Sequence, residues 1–260
     1  MKKYLHLLKI SFEDFFEYRL DLIWQICGIG LSTLVLILFW LTLKEHGTAF
    51  ESFTKQEIIA YYVYMGVLST INFFPIWWFA HFITLGNIIN VIVRPISYIL
   101  YWFINLLPKK IVTMIVYLLI GLVLLSQGIK IFPEGNQIIP FITALSLGLL
   151  GSFILNYTIG LLAIWIKRVY GITHLIYTLE GLFAGVLIPI SLLPDFLQNI
   201  STFFPTRYFI YFPVEILQEN LNSETIIKSL IIEIFWIGVL SLVCNYIWKK
   251  GLKSLDVVGI

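Results

Sequence analysis

Glu180 and Glu233 both stand inside long apolar runs, where a charged side chain is costly. Ionisable groups at membrane depth usually face a bundle interior or a wet cavity, and are functional candidates by default. Tyr177 lies one helical turn before Glu180, and Ser229 one turn before Glu233, so a hydrogen-bonded packing role is open for each carboxyl. The two are too isolated to form a proton relay. Other chemistry is sparse. His6, His46, His81 and His174 are scattered, and no HExxH pattern joins any of them. Cys27 and Cys244 sit in apolar runs, which argues against a disulfide framework or a zinc cluster. No GxxxxGK[ST] loop and no GxSxG elbow occurs. The reading therefore expects no metal, no cofactor bound by this chain and no enzymatic activity of its own. Energy for work must come from an ion gradient or a partner.

The elements that carry these residues are set by an unusual composition. Of the 260 residues, 59% are hydrophobic and only 12% are charged, against about 25% charged in soluble domains. Lipid must be the solvent for most of the chain, which excludes a disordered protein, a coiled coil and a nucleic-acid binder. A span needs roughly 20 apolar residues. Six runs qualify, near 20–43, 57–80, 111–127, 138–165, 172–190 and 226–248. The third is short unless it begins before Pro108. Short loops rich in Lys and Arg stay cytoplasmic. With both termini inside, 12 of the 17 bases are cytoplasmic, among them Arg94, Lys109, Lys110, Lys167 and Arg168. The expected fold is thus an all-α integral protein of the cytoplasmic membrane, one transmembrane domain over residues 1–260.

Three segments do not read as simple spans. In residues 1–19, Leu5, Leu8, Phe12, Phe15 and Phe16 recur at helical spacing opposite His6, Lys9, Glu13 and Glu17, which predicts an amphipathic helix in the headgroup plane. Residues 81–110 are apolar but are interrupted by Gly86, Arg94, Pro95 and Pro108. Burying Arg94 would cost about 2.5–3.5 kcal/mol, so the stretch is expected at the cytoplasmic surface, with Gly86–Pro95 as a short helix or turn. Residues 189–220 hold four of the nine prolines, Pro189, Pro194, Pro205 and Pro213. Short helices dipping into the outer leaflet as a re-entrant external hairpin between spans 5 and 6 fit that punctuation.

Small residues at four-residue spacing mark helix contact faces in lipid. Span 4 offers Gly148, Ser152, Asn156 and Gly160, span 5 offers Gly181 and Gly185, and span 1 offers Gln25, Gly28 and Ser32. Packing within one subunit is the main expectation. A cavity-lining or dimer-facing role is the second, with Gln25, Ser32, Tyr177, Glu180, Gly181, Gly185 and Glu233 as its candidates.

Two stretches carry a family resemblance. ITLGNIINVIVRPISYI, with Gly86, Arg94, Pro95 and Ser97, and GVLIPISLLPDFLQNISTFFPTRYFIYFPVEIL, with Gly185 and the four hairpin prolines, resemble the small six-span permeases of ABC-2 type ATP-binding-cassette exporters. The likeness, with the topology, covers essentially the whole chain. One departure is Thr206 after Pro205, where the family often has phenylalanine. The resemblance implies that two permeases, identical or paired with a sister chain, bind two cytosolic ABC ATPase subunits that hold ATP and Mg. It also implies that the 86–95 loop couples to the ATPase, that spans 1, 2 and 5 border the route, and that the hairpin acts as a lid. The cargo would be hydrophobic or amphipathic, and cationic if Glu180 faces the cavity. An ion-gradient-driven secondary transporter or channel is the alternative, but it would show an inverted repeat with matching broken helices. An intramembrane enzyme or scaffold would need convergent polar groups in the spans.

Overall fold

The computed structural model describes residues 2–17, 19–47, 53–88, 97–126, 133, 135–166, 169–218 and 221–257. Among them there are helices and no strand. The helices are α1 (Lys2–Glu17), α2 (Arg19–His46), α3 (Lys55–Asn72), α4 (Ile76–Thr84), α5 (Tyr98–Ser126), α6 (Ile138–Leu161), α7 (Tyr170–Phe183), α8 (Asp195–Ser201), α9 (Phe212–Gln218) and α10 (Ser223–Val257). A π-helical turn over Arg207–Tyr211 leads into α9. Four stretches are long and apolar enough to cross a membrane: Lys55–Thr84, Tyr98–Ser126, Gly135–Ile164 and Ser223–Ser254. α2 adds a helix of 28 residues.

The long helices expose leucine, isoleucine and valine in bands. Leu34, Val35 and Leu38 on α2, Leu118, Leu122 and Val123 on α5, and Ile231, Ile234 and Leu242 on α10 all point away from protein. In water such bands would drive aggregation, whereas in lipid they cost nothing. What holds the helices together must then be close packing and polar contacts. Gly148 approaches the backbone of Phe209 too closely for any side chain, and a Cβ on Gly160 would lie 2.6 Å from the Cβ of Phe79. Ser152 and Asn156 are buried between them. The small-residue stripe of α6 is therefore a packing face inside one chain.

Helix ends gather at two poles. At one, Tyr98 of α5 stacks on Trp248 of α10 at 5.1 Å, Phe82 of α4 lies 6.3 Å from Tyr98, and Gly251 of α10 abuts Ile164 at the end of α6. α1 packs on α5 nearby, where the Ser11 hydroxyl bonds Asn105 at 2.9 Å. Its covered side is Leu7 and Ser11, while Leu5 and Phe16 are exposed. At the other pole Lys55 pairs with Glu45 at 2.6 Å, and Gln218 Nε2 donates to the Glu57 carbonyl at 3.2 Å. α3 starts there on a reciprocal cap, Glu57 N–H to Thr54 Oγ1 and Thr54 N–H to Glu57 Oε2.

Several expectations change. The third long helix begins at Tyr98 and runs through Pro108 without stopping; in a packed bundle, neighbouring groups offset the amide that proline lacks. The expected loop over 81–110 is accordingly helical up to Thr84 and again from Tyr98. Between them the chain turns at Gly86, whose φ of +75° is open chiefly to glycine. Arg94 and Pro95 fall outside the described residues. The run 172–190 is not one straight rod. α7 has 14 residues and ends at Phe183, because Gly185 with φ +73° redirects the chain.

From Gly185 the proline-rich segment folds as short pieces. Pro189 precedes a 3₁₀ turn at Ile190–Leu192, Pro194 caps α8, Pro205 leads toward the π turn, and Pro213 sits in the first turn of α9. Three aromatic donors clamp its start: Tyr61 Oη to Gly185 O at 2.6 Å, and Tyr62 Oη and Trp40 Nε1 both to Leu187 O at 3.2 Å. Arg207 ties its far side, donating to Ser201 Oγ at 2.7 Å and pairing with Glu215 at 3.5 Å. A Cβ on Gly185 would lie 2.7 Å from Tyr61 Oη and 2.8 Å from Tyr211 Cδ2. Gly185→Ala is expected to lower the thermal midpoint of the detergent-solubilised protein, with a loss of roughly 1–3 kcal/mol. Gly28→Ala, which meets open space, should leave the midpoint where it was.

Candidate functional site

The sequence Phe73-Phe74-Pro75 breaks the helix between α3 and α4. Pro75 supplies no amide hydrogen and keeps the residue before it extended, so backbone groups are freed inside an apolar bundle. Two side chains satisfy them from opposite sides. The ammonium of Lys110, on α5, donates to the Thr70 carbonyl at 3.0 Å and to the Phe73 carbonyl. It also lies 4.4 Å from the centroid of the Phe74 ring, a cation–π position. The hydroxyl of Tyr177, on α7, accepts from Ile76 N–H at 3.1 Å and donates to Phe74 O at 3.4 Å. Lys110 is thus no loop residue: only 5% of it is exposed.

Beside this staple lies a cleft of about 390 Å³ between α2, α3 and α5, with Val186 also in its lining. Its walls change character along their length. Leu36, Met65 and Val186 are apolar, while Ser69, Thr70 and Lys109 are polar. Thr33 fits against Gly66, where a Cβ would meet its Oγ1 at 2.5 Å, so α2 and α3 touch closely along the back wall. Of the residues singled out in the sequence, Ser32 lines this cleft. Gly185 does not line it, but an imagined Cβ there would lie 3.2 Å from the Cε of Met65, which does.

The others go elsewhere. Glu180 turns toward α6, beside Asn156, and is not among the lining residues. Tyr177 is engaged at the helix break rather than holding Glu180. Gly181 packs on Leu187, at 3.1 Å from an imagined Cβ. Glu233 is fully buried on α10, which packs along α6, and neither carboxylate oxygen has a hydrogen-bond partner among the described residues. Ser229 therefore does not hold it. Ser97 lines a second cleft, of about 310 Å³, with Tyr98, Tyr157, Cys244 and Trp248. The side chain of Gln25 lies outside the described residues. Among the described residues no cluster of His, Cys, Asp or Glu could hold a metal ion.

Residues 31–259 match the family model described as ABC-2 family transporter protein. The chain belongs to the ABC-2 family. No curated protein gives a significant match. The family is one of multi-pass membrane components of transporters, and the apolar helices of this ABC-2 chain fit that location.

Sequence reasoning took Lys109 and Lys110 as cytoplasmic loop bases and passed over Pro75 and the Tyr61–Tyr62–Trp40 clamp. A signal for the staple was present: a proline within span 2, and a lysine pair directly after a proline in an otherwise apolar run. Its meaning depends on the two helices facing each other, which no single run reveals. Lys110→Met strips the donors from two carbonyls, at roughly 1–3 kcal/mol for each buried group left unpaired. Its thermal midpoint in detergent should fall clearly, and that of Lys110→Arg, which keeps donors there, by less. Equal midpoints for Lys110→Met and the native chain would dismiss the staple.

Proposed function

We propose that this chain is the permease subunit of an ATP-driven ABC exporter. In this reading it moves a hydrophobic or amphipathic substrate across the cytoplasmic membrane, with ATP and Mg held by separate ATPase chains and no catalytic site of its own. The family match over residues 31–259 carries the proposal. Two permeases, alike or a pair of sister chains, would assemble with the cytosolic ATPases.

The six crossings would be α2, α3 with α4, α5, α6, α7 with the segment after Gly185, and α10. The two poles support the orientation. Lys2, Lys3, Lys9, Lys249, Lys250 and Lys253 belong to elements of the Gly86 pole, whereas Lys44 and Lys55 lie at the opposite one. Positive-inside bias would then put the Gly86 pole and both termini in the cytoplasm, with α1 in the headgroup plane. Tyr98–Ser126 is one continuous helix of 29 residues, about 44 Å at 1.5 Å per residue, and a hydrocarbon core is about 30 Å thick. Its excess length would let the Gly86 turn reach the cytosol, as a handle for the ATPase that includes Arg94, Pro95 and Ser97. Gly185 faces Tyr61, two turns from the outer end of α3, so the hairpin with Pro189, Pro194, Pro205 and Pro213 would dip into the outer half as a lid. A conformational push at the handle moves the bundle only through contacts that differ between the two ATPase states.

Co-purification with the ATPase partner tests this. Replacing Arg94 with Asp and Pro95 with Gly is expected to abolish capture of the ATPase while the permease still inserts and stays monodisperse. Undiminished capture would remove the coupling role from this turn.

A further inference from the structure

We infer that the second cleft, between α5, α6 and α10, holds a diacyl glycerolipid of the cytoplasmic leaflet by its ester carbonyls, without reading its headgroup. The inference goes beyond the permease reading and rests on it only for the placement of α10 in the membrane. Three observations converge. First, the cleft carries hydrogen-bonding groups that the protein does not use. Tyr157 is only 2% exposed and lines the cleft, yet its hydroxyl has no hydrogen-bond partner among the described residues. Ser241 and Asn245 line the same cleft one turn apart on α10, and neither side chain has such a partner either. Elsewhere in the bundle hydroxyls turn back on their own helix, as Thr158 does on the Ile154 carbonyl and Ser146 on the Ile142 carbonyl. Hydrocarbon offers an unpaired polar group nothing, so these three side chains call for a partner from outside the chain.

Second, their depth suits an ester. Lys249 and Lys250 are exposed on the next turn of α10, where bases stand among the headgroups. Asn245 lies four residues before Lys249, about 6 Å at 1.5 Å per residue, and the headgroup and interfacial layer is about 5–7 Å deep on each side of the hydrocarbon. Asn245 is therefore at the boundary between that layer and the acyl chains, which is where a glycerolipid carries its ester carbonyls. Third, the lining is neutral. Among the described residues no Asp, Glu, His, Lys or Arg lines the cleft. Donors without a cation match an uncharged acceptor, and Ile99, Ile154 and the Tyr98 ring stacked on Trp248 at 5.1 Å offer apolar wall to the chain beyond it. Ser97 also lines the cleft, so a lipid seated there braces the start of α5 against α10 at the base of the Gly86 turn.

The test uses the purified full-length chain in nanodiscs of equimolar dioleoyl phosphatidylcholine and its diether analogue, which keeps the headgroup and chains but lacks both ester carbonyls. After mild extraction into detergent, the retained lipids are measured by mass spectrometry. The native protein should keep the diester in excess. Tyr157→Phe should cut that excess about fivefold, the worth of one hydrogen bond, and Asn245→Leu by a similar factor. Because the Tyr157 hydroxyl binds nothing in the protein, Tyr157→Phe should keep the native thermal midpoint in detergent, which separates lost binding from lost folding. Tyr246→Phe, at an exposed ring of α10 outside the cleft, should preserve the excess. Exchanging phosphatidylcholine for phosphatidylglycerol in both forms should leave the ratio as it was. Equal retention of diester and diether by the native chain, as water or a second copy in the cleft would give, would overturn the proposal. So would an unchanged excess in both cleft variants, a lowered midpoint in Tyr157→Phe, an equal fall in Tyr246→Phe, or a ratio set by the headgroup. No ATPase is present in this measurement, so its failure would be distinct from a failure of the permease reading.

Discussion

The architecture depends on how one broken helix is made tolerable inside lipid. Pro75 interrupts the second long rod, and every polar group it frees must find a partner within the protein, because hydrocarbon offers none. Lys110 comes from α5 and Tyr177 from α7, so the repair ties three elements to one point. Around it an aromatic core closes: Phe74 on Phe153 at 5.1 Å, Phe79 on Trp102 at 5.0 Å and Phe79 on Tyr157 at 5.6 Å. A rod cut there can change direction below the cut without losing its hydrogen bonds above it.

The proline-rich segment obeys the same constraint by other means. The segment after Gly185 is irregular, yet its carbonyls at Gly185 and Leu187 are held by Tyr61, Tyr62 and Trp40, and Arg207 gathers Ser201 and Glu215. Both irregular regions are thus tied by side chains from neighbouring helices, and packing glycines let those helices approach. Polar contacts do here what apolar burial does in a soluble core, since lipid tails give no drive to hide leucine.

Much of this was legible in the residues. Runs of apolar residues gave the long helices, because lipid leaves few other options for a backbone. Gly86 and the four hairpin prolines were readable because each restricts the chain locally. The extents of the third and fifth runs were not. Pro108 looks like a boundary but is carried inside α5, and Gly185 looks like a packing residue but ends the rod. Facing was hidden for a related reason: in a helix apolar all round, periodicity does not say which side meets protein. So Glu180, read as a cavity candidate, turns to α6, while Lys109, read as a loop charge, lines the cleft. Ser32, read as a packing, cavity-lining or dimer-facing residue, is one of the residues that line the cleft.

The central claim, that the Gly86 pole faces the cytosol and the Lys55 pole the outside, is open to one direct measurement. Cys27 and Cys244 are first replaced by Ala, and single cysteines are introduced at Ser97 and Ser223, both exposed and at opposite poles. Intact cells and inverted vesicles are then treated with a membrane-impermeant maleimide. The account predicts that Ser97→Cys reacts only in inverted vesicles and Ser223→Cys only in intact cells. Labelling of both from one side, or the reverse pattern, would contradict it.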